Sequence, residues 1–397
     1  MIPTSAPSLT EAEFDAMHKA VDSHWLTAGP INNKFEKALG AFTGHSYVHT
    51  CNSGSSANLL AVASLVEAGY WKAGDEIITA ACAFPTTVNP LLLYGLIPVF
   101  VDVELETLNV SAKTMRTAWG PKVKGFILAH TLGNPFDEQI RKDPPGCYFI
   151  EDCCDALGAT YQWGGETHHV GRHASLATCS FFPAHHITTG EGGAVFTNDE
   201  ALARLVESIR DWGRDCWCEP GKENTCGKRF EWEYESLPAG YDHKYTYTHM
   251  GFNLKFTEVQ ASCGLAQTKR LTAFIAARRR NFRYLRDRLS AIQQHIILPD
   301  YSEGSSPFGL PITIKETGQR TLLQEYLKQE GIDSRLIFSG NITKQPYMKG
   351  RNVRVSGSLE NTDKIMNDSL WIGCHPSLTQ ENLEYMATKV ETFFGRF

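Results

Sequence analysis

The 397-residue sequence predicts an α/β fold: a large domain built on a mostly parallel sheet, followed by a smaller C-terminal α/β domain. Two observations carry this. Short apolar runs at residues 76–82, 97–102, 125–130 and 147–152 are separated by stretches of crossover length, the only way that parallel strands can be joined. The chain is also long enough to bury one large core and a second smaller one. We place residues 1–294 in the large domain, with a cysteine-rich segment at 213–247, and residues 295–397 in the small one.

The totals exclude several classes of partner. Net charge is -6 with no long run of one sign, so neither a nucleic-acid groove nor a polybasic membrane patch is expected. The first residues have no basic stretch followed by an apolar one, and the longest apolar run, 90–103, is broken by Pro98 and too short to span a bilayer. A cytoplasmic protein is expected, in which eleven cysteines read as metal, cluster or core residues rather than disulfides.

In order, residues 9–23 and 33–42 read as helices flanking a loop at 25–30. A strand then enters Cys51-Asn52-Ser53-Gly54-Ser55-Ser56, after which Leu59, Leu60, Val62, Leu65 and Val66 recur at helical spacing up to a stop at Gly69. A helix that starts on Gly54 and Ser55 offers backbone N–H groups to a phosphate. A plain N-cap by Ser53 or Ser55 is the alternative. Phe84, after the strand ending near Cys82, is placed to stack on an aromatic cofactor or to pack in the core. Asp152 ends its strand, where a carboxylate suits a protonated pyridine nitrogen, and Asp155 follows it closely.

Residues 162–169 read as a polar turn, and the apolar run 176–182 ends in a turn that carries His185 and His186. The Gly192-Gly193 pair then lets the chain reverse into another strand. Asn198 reads as the cap of a helix to about residue 211, and 257–294 as one long helical stretch with basic residues at 278–280. The small domain is predicted to hold a strand at 307–314 and helices at 321–330 and 381–394.

Cys216, Cys218 and Cys226 bring three thiols onto one irregular segment, which suits zinc or an iron–sulfur centre. Three thiols leave one ligand missing. Cys154 is the candidate for the fourth, with Cys153 as its neighbour and competitor; on alternating faces only one of the two can look toward the centre.

The frame Ser180-Phe-Phe-Pro-Ala-His185 resembles the Ser-Phe-x-x-x-Lys frame of sugar aminotransferases that bind pyridoxal phosphate (PLP), with His185 in the position of the lysine that holds the cofactor covalently. An imidazole cannot form that bond. Pyridoxamine phosphate (PMP) could still be held, and a histidine can move a proton near neutral pH. An ordinary turn histidine is the alternative. Arg214-Asp-Cys216-Trp-Cys218, Cys226-Gly-Lys-Arg and Gly240-Tyr-Asp-His-Lys-Tyr-Thr-Tyr extend the similarity, from about residue 25 to 368, to the nucleotide-hexose 3-dehydratases.

That resemblance implies a fold type I aminotransferase scaffold, PMP, and a [2Fe-2S] cluster on Cys154, Cys216, Cys218 and Cys226. It implies that Ser55 and Ser180 hold the phosphate, Asp152 the ring nitrogen and Phe84 the ring face, while Asp155 stands where aminotransferases commonly place Gln beside the ring hydroxyl. Asn253 would reach the phosphate of a neighbouring subunit in a homodimer or higher oligomer. The implied reaction removes the C3 hydroxyl of a nucleotide-linked 4-keto-6-deoxyhexose, with electrons from a separate flavin or iron–sulfur reductase. A sugar-nucleotide aminotransferase, a cluster-independent dehydratase and a zinc-stapled binding protein remain alternatives. Lys228, Arg229, Lys244 and Arg335 are candidates for the diphosphate.

Overall fold

The computed structural model describes residues 1–142, 146–218 and 222–395. Its strands are β1 (Tyr47–Cys51), β2 (Glu76–Ala80), β3 (Ile97–Val101), β4 (Val123–Ala129), β5 (Tyr148–Asp152), β6 (Thr160–Trp163) and β7 (Glu166–His169). Then come β8 (Leu176–Ser180), β9 (Gly193–Thr197), β10 (Ile296–Ile297), β11 (Gly309–Ile314), β12 (Arg354–Val355) and β13 (Ser369–Gly373). The helices are α1 (Glu11–Asp22), α2 (Pro30–Thr43), α3 (Gly54–Glu67), α4 (Pro85–Leu93), α5 (Ala112–Ala118) and α6 (Glu200–Arg210). Five more follow: α7 (Glu258–Thr268), α8 (Leu271–Leu289), α9 (Gln319–Gln329), α10 (Glu360–Asp368) and α11 (Gln380–Phe394).

The large sheet has eight strands in the order β1-β9-β8-β5-β4-β2-β3-β12. Only β9 runs antiparallel to its neighbours, so the mostly parallel sheet is as predicted. Its central strands are buried on both faces, which is why they read as continuous apolar runs rather than alternating ones. The helix α3 is likewise buried on most sides; the Ser53 side chain accepts from Ser56 N at its start, and Gly69, at a φ of 74°, turns the chain after its end.

Three expectations are corrected. Residues 162–169 are not a bare turn but part of the β6–β7 hairpin, because Gly164 and Gly165 both take positive φ and close a two-residue reversal. Asp199 caps α6 by accepting from Leu202 N, while Asn198 ties Ser46 to Arg172. The 257–294 stretch is two helices: α7 opens on a Thr257–Gln260 capping box, and the chain breaks at Arg270 before α8 begins.

A three-stranded antiparallel sheet, β10-β11-β13, packs with α9, α11 and the second half of α8 around its own core, including Leu285, Ile312, Leu323, Ile372 and Val390. The chain then returns to the large sheet, where β12 pairs in parallel with β3. Asp102, just past β3, accepts from the N–H groups of Asn361 and Thr362 at the start of α10. A strand-end carboxylate thus caps a helix from the far end of the sequence.

Below the functional end of the sheet, Glu151 accepts from Arg141 Nε (2.7 Å) and Nη2 (2.9 Å), His130 Nε2 (2.8 Å) and Gly171 N (2.8 Å). Burial pushes its carboxyl up, but the Arg141 charge and the hydrogen bonds from His130 and Arg141 outweigh it and hold the group well below the usual carboxylate range. Replacing Glu151 with Gln leaves the Arg141 guanidinium uncompensated in the interior. We expect a loss of about 3–5 kcal/mol in unfolding free energy, read as a lowered urea midpoint; an unchanged midpoint would show that the ion pair carries no stability.

Candidate active site

Adjacent residues on a strand face opposite ways, so the carboxylate after Glu151 points to the other side of β5. Asp152 Oδ2 accepts from Asn58 Nδ2 and Thr87 Oγ1, each at 2.8 Å, and Oδ1 accepts from Cys154 N at 3.1 Å. Asn58 Oδ1 in turn accepts from Thr178 Oγ1 at 2.7 Å. Helices α3 and α4 and strand β8 therefore aim one carboxylate.

The start of α3 meets the end of β8 at a glycine. A Cβ added at Gly54 would lie 2.5 Å from Ser180 Cβ, 3.0 Å from its Oγ and 3.2 Å from Cys154 Sγ, so the close approach requires Gly54 to have no side chain. The first N–H groups of a helix lack partners within it and favour an anion. Ser55 is exposed beside them.

His185 sits in the turn after β8. Buried Arg278, from α8, donates to Ala184 O (3.3 Å), His185 O (3.2 Å) and Phe308 O (2.9 Å) and so fixes the turn. His185 Nδ1 lies 3.4 Å from Asp155 Oδ1, and both His185 Nδ1 and Asp155 Oδ2 are buried without a hydrogen-bond partner. Burial pulls His185 down to about 4, with the Arg278 charge acting the same way and Asp152 opposing. Burial and the charge of Asp152 push Asp155 up to about 7. At neutral pH His185 is thus a neutral base beside a carboxyl near its own titration point. Neighbouring His186 is structural: its Nε2 pairs with Ser306 Oγ at 2.8 Å.

Phe84 is 48 % exposed, which rules out ordinary core packing; it sits edge-on to Phe338 and lines a cleft of about 430 Å³ with Asn89, Ser339, Gln345 and Tyr347. Asn253 is exposed, and its neighbour Leu254 accepts from Asn52 N next to the α3 start. The polar groups fit a flat pyridine with a phosphate arm: Gly54, Ser55 and Ser180 for the phosphate, Asp152 for a ring N–H, and the orphaned, buried Asp155 Oδ2 for a polar group on the ring.

The structure brings Cys216, Cys218 and Cys226 together, but with His243 rather than Cys154. Ligand atoms of Cys216, Cys218 and His243 all lie within 4.8 Å of one another, and Cys226 Sγ is 3.6 Å from His243 Nε2. Burial raises the Cys218 thiol, but hydrogen bonds from Thr225, the Cys226 backbone and the Cys216 and Cys226 thiols bring it down to about 6. The Cys154 sulfur lies beside Gly54 instead, and among the described residues it joins no group of three ligand atoms. Cys153 falls in the core beside His130 and Glu151, a grouping already taken up by Arg141.

Of the four diphosphate candidates, Arg229 pairs with Asp242 and Glu223, Lys244 with Glu223 and Arg335 with Asp333, while Lys228 donates its backbone N–H to Cys226. Sequence reasoning missed Asn58, Thr87, Arg278 and His243. A lone amide on an apolar helix was the available signal for Asn58; for Arg278 there was only a basic triplet. Gly54→Ala should weaken PMP binding roughly tenfold or more, since overpacking costs about 1–3 kcal/mol. Fluorescence titration with PMP tests this, and an unchanged affinity would remove the α3 start from the site.

Comparisons with known proteins identify the family and the fold. Residues 7–391 match the DegT/DnrJ/EryC1/StrS aminotransferase family. The chain is 49 % identical to the lipopolysaccharide biosynthesis protein RfbH of Salmonella typhimurium, covering 100 % of this chain and 92 % of that protein. It is 44 % identical to the dTDP-4-dehydro-2,6-dideoxy-D-glucose 3-dehydratase of Saccharopolyspora spinosa, over 100 % and 87 % of the two chains. Among solved structures, E. coli GDP-4-keto-6-deoxy-D-mannose-3-dehydratase with bound hydrated PLP superposes with a TM-score of 0.88 at 27 % identity, over 98 % of this chain and 99 % of that one. The fold is that of the type I PLP-dependent enzymes, and the chain belongs to the DegT/DnrJ/EryC1/StrS aminotransferase family.

Proposed function

We propose that this protein is a PMP-dependent nucleotide-sugar 3-dehydratase. It would remove the C3 hydroxyl of a nucleotide-linked 4-keto-6-deoxyhexose to give a 3,6-dideoxy-4-keto sugar. The observation that carries this reading is His185, a buried imidazole in the turn after β8 at the position that the sugar aminotransferases give to their cofactor-binding lysine. Relatives named as 3-dehydratases support it.

When bound, PMP supplies an amine for the sugar ketone and an electron-withdrawing ring. Asp152, locked by Asn58 and Thr87, would keep the ring nitrogen protonated. Ser180, Ser55 and the α3 start would hold the phosphate. His185 has its Nδ1 on the Asp155 side, which leaves Nε2 to take the proton from the carbon that bears the amine. Asp155 both orients the imidazole and provides a group that titrates near neutrality. Asn253, which is exposed, would reach the phosphate of a second subunit in a working unit that is at least a homodimer.

Net deoxygenation needs two electrons. We assign their entry to a [2Fe-2S] cluster in the cysteine segment, served by a separate flavin or iron–sulfur reductase. An aminotransferase on the same scaffold would need the lysine that His185 replaces.

The test uses protein loaded with PMP and a nucleotide-linked 4-keto-6-deoxyhexose, following release of the C3 hydroxyl by NMR. His185→Asn should bind PMP normally yet lose roughly a hundredfold to ten-thousandfold in rate. His185→Lys should gain amino-group transfer from an amino acid. If His185→Asn keeps the parent rate, the histidine is not the base and the reading falls.

A further inference from the structure

We propose that the pocket between α2, α8 and the loop that enters β6 is a second ligand site, which takes an organic oligophosphate such as a nucleoside di- or triphosphate. It shares no residue with the candidate cofactor pocket.

The pocket encloses about 570 Å³, inside the range of roughly 300–1,000 Å³ in which small-molecule sites fall. Thr272, Ala276, Arg279, Arg280 and Arg283 form one wall, at the spacing of a single face of α8. Phe42, at the end of α2, and Gly158 and Thr160 form the other. Successive residues on a helix point about 100° apart. Arg278 therefore turns to the His185 loop while its neighbour Arg279 turns to this pocket.

The charge in the pocket is of one sign. The sequence holds 44 acidic residues against 38 lysines and arginines, yet among the described residues the lining has three guanidiniums and no carboxylate. The ion pairs of α8 and its cap are Arg270–Glu13 and Arg288–Glu391, so among the described residues Arg280 and Arg283 have none. Arg279 is fixed in place: its Nε donates to Ser305 O at 2.8 Å, and its Nη2 to Gly304 O at 3.3 Å and Gly158 O at 3.4 Å. That leaves Nη1 for a ligand. Burial, and then the charge of Arg283, hold the Arg279 guanidinium below its usual value. Like charges gathered in this way repel one another, and a bound anion reverses the sign of the interaction.

The chemistry of the walls names the ligand class. Guanidinium forks pair with phosphate oxygens two at a time, and three positive charges match a di- or triphosphate better than a single phosphate group. Phe42 is only partly buried; His169 packs on one side of it, with ring centroids 4.8 Å apart. Together with Ala276 it gives the pocket an apolar patch beside the arginines, which suits a base or another flat group carried by the phosphates. A bare phosphate ion uses only the charged half of such a pocket.

The test is calorimetric titration of the full-length, PMP-loaded protein with sodium pyrophosphate and with ATP, in magnesium-free buffer. The parent is compared with the Arg280→Gln/Arg283→Gln double variant and with Ala276→Glu, which sets a carboxylate among the arginines. We expect both anions to bind the parent, ATP several-fold tighter than pyrophosphate, with affinities that fall as salt is added. Each variant should weaken both by roughly tenfold or more. Absence of saturable binding in the millimolar range overturns the site. Binding that survives unchanged in both variants belongs elsewhere on the molecule and also overturns it. Pyrophosphate binding as tightly as ATP overturns the assignment to an organic phosphate. All three substituted positions are exposed, so the urea midpoints should stay at the parent value; a fall in both variants would show that this face of α8 serves the fold instead.

Discussion

Two neighbouring carboxylates at the end of β5 face opposite ways, and most of the molecule's chemistry depends on that alternation. Glu151 turns inward and gathers four donors, including the buried Arg141 guanidinium. Asp152 turns the other way and is aimed by side chains from α3 and α4. A strand fixed by an ion pair on one face makes a rigid support for a charge on the other. The order of the two residues cannot be exchanged without moving the site to the wrong side of the sheet.

The proposed base is held by a different device. His185 lies in an irregular turn, where backbone carbonyls would otherwise face the interior unpaired. Arg278 answers two of them and a third from Phe308, so one guanidinium in α8 ties the His185 turn to the beginning of the three-stranded sheet. His185 is thereby kept on a loop yet positioned as firmly as a residue on a strand. Its neighbour His186, similar in sequence terms, turns its Nε2 to Ser306 instead.

The mostly parallel sheet was legible because its strands are buried on both faces and announce themselves as unbroken apolar runs. Asp152 and Gly54 stood out as candidates because strand ends and helix starts gather function in this architecture, and His185 because its frame resembles that of the sugar aminotransferases. Asn58 and Thr87 were not, since their role exists only when α3 and α4 cross the end of β5. The β6–β7 hairpin was hidden by its polar, exposed composition, although its glycine pair was in plain view.

The return of β12 to the large sheet has a consequence for the order of events during synthesis. Residues 354–355 lie beside 99–100, so the edge of the main sheet cannot close until the ribosome has made almost the whole chain. For most of translation β3 presents an unpaired parallel edge, a template for pairing with another chain. The nascent protein thus carries an open edge on its main sheet until late in synthesis.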